Sequence, residues 1–215
     1  MKFGIIGING RMGQEIRSVF EEEGHELVYS LDKDDEFRSD IPDVLIDFSL
    51  PAVFEKTLKL VDEFQSPLVI GTTGLTEDQL AKLDLISANH AVVQSYNFSI
   101  GIQMLLKATE LLNDHISDWD IEISETHHRF KLDKPSGTAK MLQSVFAREI
   151  PTSSLRLGNV AGDHSVHFGS LGETITLSHR ATSRRTFVEG VYKSALFLNK
   201  RKHGLFSFKQ VLFSK

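Results

Sequence analysis

Between Glu125 and Lys140 the chain reads ETHHRFKLDKPSGTAK: two adjacent histidines, then Arg129, Lys131 and Lys134, then a Pro-Ser-Gly-Thr turn. An imidazole exchanges protons near neutral pH, and cations beside the start of a helix hold an anion. The residue types therefore suit a site that binds a small carboxylate while a histidine handles a proton. The pattern predicts a helix from Thr138 to Glu149, with the N–H groups and hydroxyls of Ser136, Gly137 and Thr138 at its start facing the anion. Pro135 before a Ser/Thr cap is also an ordinary way to begin a helix. On an extended segment His127 and His128 point to opposite faces, so one can act on the proton while the other positions the substrate. No metal is expected, because adjacent histidines rarely converge on one ion and no further ligand spacing accompanies them.

A second reactant is suggested by the first third of the chain. The apolar run Lys2 to Ile8 passes through a glycine turn into an amphipathic helix, and Gly7, Gly10 and Gly13 keep the spacing G-x-x-G-x-x-G. Such glycines permit a tight turn and let the backbone of Arg11, Met12 and Gly13 approach a pyrophosphate. A second apolar run ends in Asp32-Lys33, an acid suited to a ribose hydroxyl beside a base suited to a 2′-phosphate, which suggests NADH and/or NADPH as the cofactor. The charge run Asp32 to Glu36 reads otherwise as a solvated turn. Short β-branched runs then alternate with helical segments, the pattern of a doubly wound parallel sheet. In such a sheet ligands sit beyond the carboxyl ends of the strands, which marks Phe48-Ser49 and Gly71-Thr72-Thr73-Gly74 as facing the nicotinamide. Thr76 is expected to cap a helix from Glu77 to Ser87.

The alternation breaks at Ser95-Tyr96-Asn97-Phe98-Ser99, after which strand-rich segments predominate. This places a domain change near Asn97. The apolar tail at Phe208 to Phe213 must pack on something, so the chain is expected to return to the first sheet and make the second domain an insertion. The organisation expected is a dinucleotide-binding domain of residues 1–97 plus 190–215, with an inserted α+β domain of residues 98–189. At 215 residues and 40% apolar content, either unit can bury a core. The net charge of -5 argues against a general binder of nucleic acid or anionic membranes. With no cysteine, disulfides, thiolate nucleophiles and aldehyde dehydrogenation through a thioester are excluded. No apolar stretch approaches the roughly 20 residues needed to span a bilayer, and the start of the chain lacks a signal-peptide pattern, so a cytoplasmic location is expected.

Taken in order, Gly7 to Gly13, Gly71 to Gly74, Asn97-Phe98-Ser99-Ile100-Gly101, Glu125 to Ala139, Gly162-Asp163-His164 and Ser178-His179-Arg180-Ala181 with Arg184 and Phe187 resemble the 4-hydroxy-tetrahydrodipicolinate reductase (dihydrodipicolinate reductase) family over nearly the whole chain. The segment from the paired histidines to PSGTA carries most of the specificity. The resemblance implies a Rossmann domain with an α+β substrate and oligomerisation domain built on a mixed sheet. It implies a homotetramer formed through that sheet, and NAD(P)H-dependent reduction, with dehydration, of a cyclic dicarboxylate in diaminopimelate and lysine biosynthesis. By motif position His127 matches the general acid or base and Lys131 the catalytic lysine, with His128, Ser136, Gly137 and Thr138 forming the substrate carboxylate cradle. The cofactor set implied is Gly7, Gly10, Arg11, Met12, Gly13, Asp32, Lys33, Phe48, Ser49, Gly71, Thr72, Thr73, Ser95, Asn97 and Phe98. Asp32-Lys33 stands where the family usually has Glu-Arg, and Phe130 where some relatives have histidine. The competing readings are another NAD(P)-dependent reductase of amino-acid metabolism and a non-catalytic NAD(H)-sensing protein.

Overall fold

The structure, a computed structural model, describes every residue except Asp34 and Lys215. It divides into two compact units, Met1–Phe98 with Phe187–Lys215, and Ser99–Thr186. In the first unit the chain runs β1 (Lys2–Ile6), α1 (Arg11–Glu22), β2 (Glu26–Asp32), β3 (Asp35–Arg38), β4 (Val44–Asp47), α2 (Phe54–Phe64), β5 (Leu68–Ile70), α3 (Glu77–Ser87) and β6 (Ala91–Gln94). The second unit holds α4 (Ile100–His115), β7 (Asp120–His127), α5 (Gly137–Gln143), β8 (Thr152–Arg156), β9 (Asp163–Gly169) and β10 (Thr174–Arg180). Then come α6 (Arg185–Leu198), β11 (Gly204–Ser207) and α7 (Phe208–Phe213).

The first sheet has the order β11-β6-β5-β4-β1-β2-β3, parallel throughout except for the antiparallel pair β2 and β3. Its central strands β1, β4 and β5 are covered on both faces, which is why they read as unbroken apolar runs rather than alternating ones. On one face Ile6, Leu31, Leu45 and Ile70 pack with Phe54, Val61 and Leu83 of α2 and α3. Phe3 of β1 instead meets Phe20 of α1, ring centroids 4.9 Å apart, and Tyr192 of α6 stands edge-on to Phe20. Helix α1 buries Ile16, Val19 and Phe20 on one stripe, worth on the order of 5 kcal/mol of apolar transfer. Thr76 caps α3 as expected, in a full capping box with Gln79.

The tail returns to the first sheet, where β11 pairs in parallel with β6 and Phe208 is buried behind it. In the second unit the order is β10-β9-β7-β8; β7 and β8 run parallel and the other pairs antiparallel, so the sheet is mixed. One face is apolar, with Ile121, Ile123, Val166 and Phe168 packed against Ile102 and Leu106 of α4 and Leu142 of α5. The other carries Glu122, Ser124, Ser165, His167, Thr176 and Ser178.

Two expectations are corrected. In the charge run after Asp32, the expected site at Asp32-Lys33 is followed not by a turn alone but by Asp35–Arg38, an exposed edge strand that doubles back on β2; Asp34 lies outside the described residues. The helix expected from Thr138 to Glu149 stops at Gln143. Its side chain ends it, Nε2 donating to the Arg148 carbonyl at 2.9 Å and Oε1 accepting from the Ile150 N–H at 3.0 Å. The bend that results turns Phe146 and Ile150 into the core, a gain in burial that a continued helix would forgo.

Candidate active site

The glycine turn is built by close approach. Gly7 has φ of +87°, and a Cβ on Gly13 would stand 2.2 Å from the Gly7 carbonyl oxygen and 2.7 Å from Ile8 backbone atoms, so a side chain there has nowhere to go. Helix α1 therefore begins directly against the end of β1. Gly10 supplies no side-chain cap and no residue of the first turn is acidic, which leaves the N–H groups at Arg11, Met12 and Gly13 for an outside anion. The Asp32 carboxylate at the end of β2 accepts from the Asn9 N–H at 2.9 Å and so lies beside the turn. Lys33, exposed, sits next to it with φ of +49°. These features fit a dinucleotide: a cradle closed to any Cβ, a free helix N-terminus, and an acid and a base at the ribose end.

At the carboxyl ends of β4 and β5 the loops are tied together by Asp47, which is fully buried and which sequence reasoning did not single out. Its Oδ1 accepts from the Ser49 N–H at 2.9 Å, the Ser49 hydroxyl at 2.6 Å and the Thr72 hydroxyl at 2.9 Å, while Oδ2 accepts from Thr57 at 2.7 Å. Ser49 and Thr72 are thus joined through one carboxylate. Thr73 is exposed, and a Cβ on Gly71 would meet the Phe48 ring at 2.3 Å. At the end of β6 the Ser95 hydroxyl donates to the Asn97 carbonyl at 2.7 Å. Phe98 turns into the core between Phe48 and Phe208, so it has only backbone groups to offer a cofactor.

In the second unit β7 sets the chemistry. Its buried residues alternate, Ile121, Ile123, Glu125 and His127, so the acid and the imidazole share one face of the strand. Register carries the polar character across the sheet: Ser154, Glu125, His164 and His179 stand opposite one another on β8, β7, β9 and β10. Glu125, 1% exposed, receives Arg156 in a two-pronged ion pair at 2.9 and 3.0 Å and pairs also with Nδ1 of His127. Burial pushes the Glu125 carboxyl up, but hydrogen bonds from Arg156, Ser154 and His127 outweigh it and hold it down at about 2. Burial pulls His127 below the usual imidazole range, opposed in part by Glu125. His164 is pulled down to about 3, first by burial and then by the neighbouring His127. Its Nε2 lies 3.2 Å from the Ser136 hydroxyl, which accepts from the Ala139 N–H at 3.1 Å as the cap of α5.

The loop from His128 to Pro135 passes beside this cluster. The Lys131 ammonium pairs with Asp133 at 2.8 Å, and Arg156 donates to the carbonyls of Lys131 and Asp133. Gly137 and Thr138 follow Ser136 into α5, Thr138 buried. Ser136 is thereby brought close to His127 through Glu125 and His164, and Lys131 through Arg156. His128, just past the end of β7, is half-buried, whereas Arg129 and Phe130 are exposed. Single ligand atoms of Glu125, His127 and His164 lie within 4.8 Å of one another, a spacing a metal ion can bridge. Both oxygens of Glu125 already face the Arg156 guanidinium, whose charge opposes a cation there. Sequence reasoning quoted Glu125 and His164 within their motifs but gave them no role, and it did not single out Arg156. The E-x-H spacing on a strand was a legible signal for the first; the other two arrive only through pairing.

Comparison with known proteins places the chain in a family. Family models described as "Dihydrodipicolinate reductase, N-terminus" and "Dihydrodipicolinate reductase, C-terminus" match residues 1–98 and 101–212. A protein of Thermosipho africanus named 4-hydroxy-tetrahydrodipicolinate reductase is 46% identical, covering 99% of this chain and 98% of its own. One of the same name from Zymomonas mobilis is 35% identical, covering 99% and 97%. The solved structure of "Dipicolinate bound Dihydrodipicolinate reductase from Paenisporosarcina sp. TG-14" superposes with a TM-score of 0.78 at 27% identity, covering 99% of each chain. With both halves of the chain matched and full-length relatives at this identity, the chain belongs to the dihydrodipicolinate reductase family.

Proposed function

We propose that this protein reduces 4-hydroxy-tetrahydrodipicolinate to tetrahydrodipicolinate with NADH or NADPH, the substrate losing one water and gaining one hydride and one proton, in the diaminopimelate route to lysine. The observation that carries the reading is the buried Glu125–His127 pair beside the Ser136 cap and the Lys131 loop, in a chain of this family. Hydride is what NADH or NADPH supplies when bound. The N-terminus of α1 holds its pyrophosphate and Asp32 its ribose, with Lys33 offering charge to a 2′-phosphate. Ser49, Thr72 and the backbone from Ser95 to Phe98 line the nicotinamide end.

The dicarboxylate is held by His128, by Ser136, Gly137 and Thr138, and by Lys131 once its ammonium exchanges Asp133 for the substrate. His127 exchanges the proton at Nε2, since Nδ1 faces Glu125. Neutral at physiological pH, it first accepts a proton there; as imidazolium it is stabilised by the Glu125 carboxylate. Assembly as a homotetramer is supported by the hydroxyl-rich outer face of the mixed sheet and by Leu155 and Leu171, exposed near its edges. We place the protein in the cytoplasm with the other enzymes of such a route; among the described residues no helix is long and apolar enough to cross a membrane.

The test is loss of reduced-nicotinamide absorbance when the product of the preceding synthase is supplied fresh with NADH or NADPH. Turnover with either is expected; none with both overturns the function. Light scattering in solution checks the tetramer, and a monomer at assay concentration removes that part.

A further inference from the structure

The mechanism above uses Glu125 to stabilise the His127 imidazolium and leaves the buried charged group bonded to it, Arg156, without a task. Glu125 is 1% exposed and the Arg156 side chain 9%, so folding strips most of the water from both. A buried ion pair of this kind adds little to stability over apolar residues of the same size, because desolvation offsets the attraction. Its value lies in what else it holds. The two oxygens of Glu125 are shared among several donors: Oε1 accepts from Arg156 Nη2 at 2.9 Å and from the Ser136 N–H at 3.4 Å, and Oε2 from Arg156 Nη1 at 3.0 Å and from Nδ1 of His127. Arg156 spends its other N–H groups on the chain: Nε donates to the Lys131 carbonyl at 3.1 Å, Nη2 to the Asp133 carbonyl and Nη1 to the Leu155 carbonyl at 2.6 Å. One end of the pair thus grips the imidazole and the other grips the loop that carries the lysine.

We propose that Glu125 and Arg156 are a positioning couple for proton transfer: Glu125 fixes His127 as the Nδ1–H tautomer with Nε2 as the exchanging atom, and Arg156 sets the Lys131 loop against the same carboxylate. Strand geometry imposes the first part. Glu125 and His127 lie two residues apart on one face of β7, so the carboxylate meets the near nitrogen of the ring. Across the ring, a Cβ on Gly162 would stand 3.1 Å from Nε2, a tight contact that the glycine avoids. His164 stands edge-on to His127, ring centroids 5.0 Å apart, with its Nε2 turned to the Ser136 hydroxyl at 3.2 Å, whereas Glu125 directly meets Nδ1 of His127. The carboxylate does more than hold a tautomer, because it also stabilises the imidazolium formed when Nε2 takes up its proton.

This rests on the function proposed above, and the tests separate the two. The direct readout needs no activity: nitrogen chemical shifts of His127, assigned by its loss in His127→Gln, report the tautomer in the wild-type protein. The Nδ1–H form is expected, and an Nε2–H form overturns the proposal whether or not the protein turns over. The kinetic readout is Glu125→Gln, which keeps the shape and turns one acceptor into a donor facing Arg156 or His127. Expected are a fall in kcat on the order of 10- to 100-fold, an unchanged Kd for NADH, and a shift of the His127 limb of the kcat/KM profile to lower pH. Wild-type kcat with an unmoved limb overturns it. Arg156→Lys keeps the charge and loses the fork, so it stands in where Glu125→Gln fails to fold. It is expected to raise KM for the dicarboxylate and lower kcat while leaving the limb near its wild-type pH; wild-type values for both constants overturn the part assigned to Arg156.

Discussion

His164 makes stability depend on pH in a way that can be calculated. It is 3% exposed on β9, and burial holds its imidazole down at about 3, against 6.5 when unfolded. The unfolded chain therefore binds a proton that the folded chain refuses, and folding stability falls as the pH drops below the unfolded value. Each pH unit inside that window is worth about 1.4 kcal/mol for one group. At pH 5 the loss relative to pH 7.5 is about 2 kcal/mol, approaching roughly 5 kcal/mol near the folded pKa. His127 and His179 are lowered in the same direction, also first by burial, so they steepen the slope. The perturbation is His164→Gln, a neutral replacement that still reaches Ser136. Urea unfolding of wild type and variant at several pH values from 7.5 to 4 measures the slope. The wild type is expected to lose about 2 kcal/mol more than the variant between pH 7.5 and pH 5. Parallel curves would refute the buried neutral imidazole and with it the explanation of the polar row.

A second acid window lies lower. Glu125, held at about 2, contributes stability that is complete above its unfolded value of 4.5 and lost as pH falls toward 2, so Arg156→Met should remove much of the acid dependence there, measured by the same titration. Gly13→Ala places a methyl 2.2 Å from a backbone oxygen, so the turn must shift; dinucleotide affinity measured by fluorescence should fall by at least about tenfold, and full affinity would contradict the cradle. Asp47→Asn puts an amide donor among hydroxyl and N–H donors, which should cost about 1–3 kcal/mol in thermal or urea unfolding. Lys33→Glu should raise KM for NADPH and leave that for NADH nearly unchanged, since only the former carries a 2′-phosphate. Lys131→Ala should lower kcat without weakening NADH binding; unchanged turnover would remove its catalytic role.

Much of this protein was legible in the amino-acid order because the signals are local. Glycine spacing reports a turn that only a missing Cβ allows, and unbroken β-branched runs report strands covered on both faces. Capping by Thr76 and the apolar tail followed from residues within one turn of each other or from the need to bury a hydrophobic segment. The paired histidines, the lysine and the Ser-Gly-Thr cap could be singled out as a candidate site because they are adjacent in sequence. What sequence could not settle was decided by register. Glu125 meets Arg156 and His164 only because β7 lies between β8 and β9, over 30 residues away in the chain, and Asp47 joins Ser49 to Thr72 only because β4 and β5 are neighbours. The length of α5 was likewise a tertiary matter: the local sequence favours more helix, and the core gains more from Phe146 and Ile150 turned inward. Side-chain identity sets what each residue can do, whereas which charges are stripped of water, and so which proton moves, depends on strands brought together from distant parts of the chain.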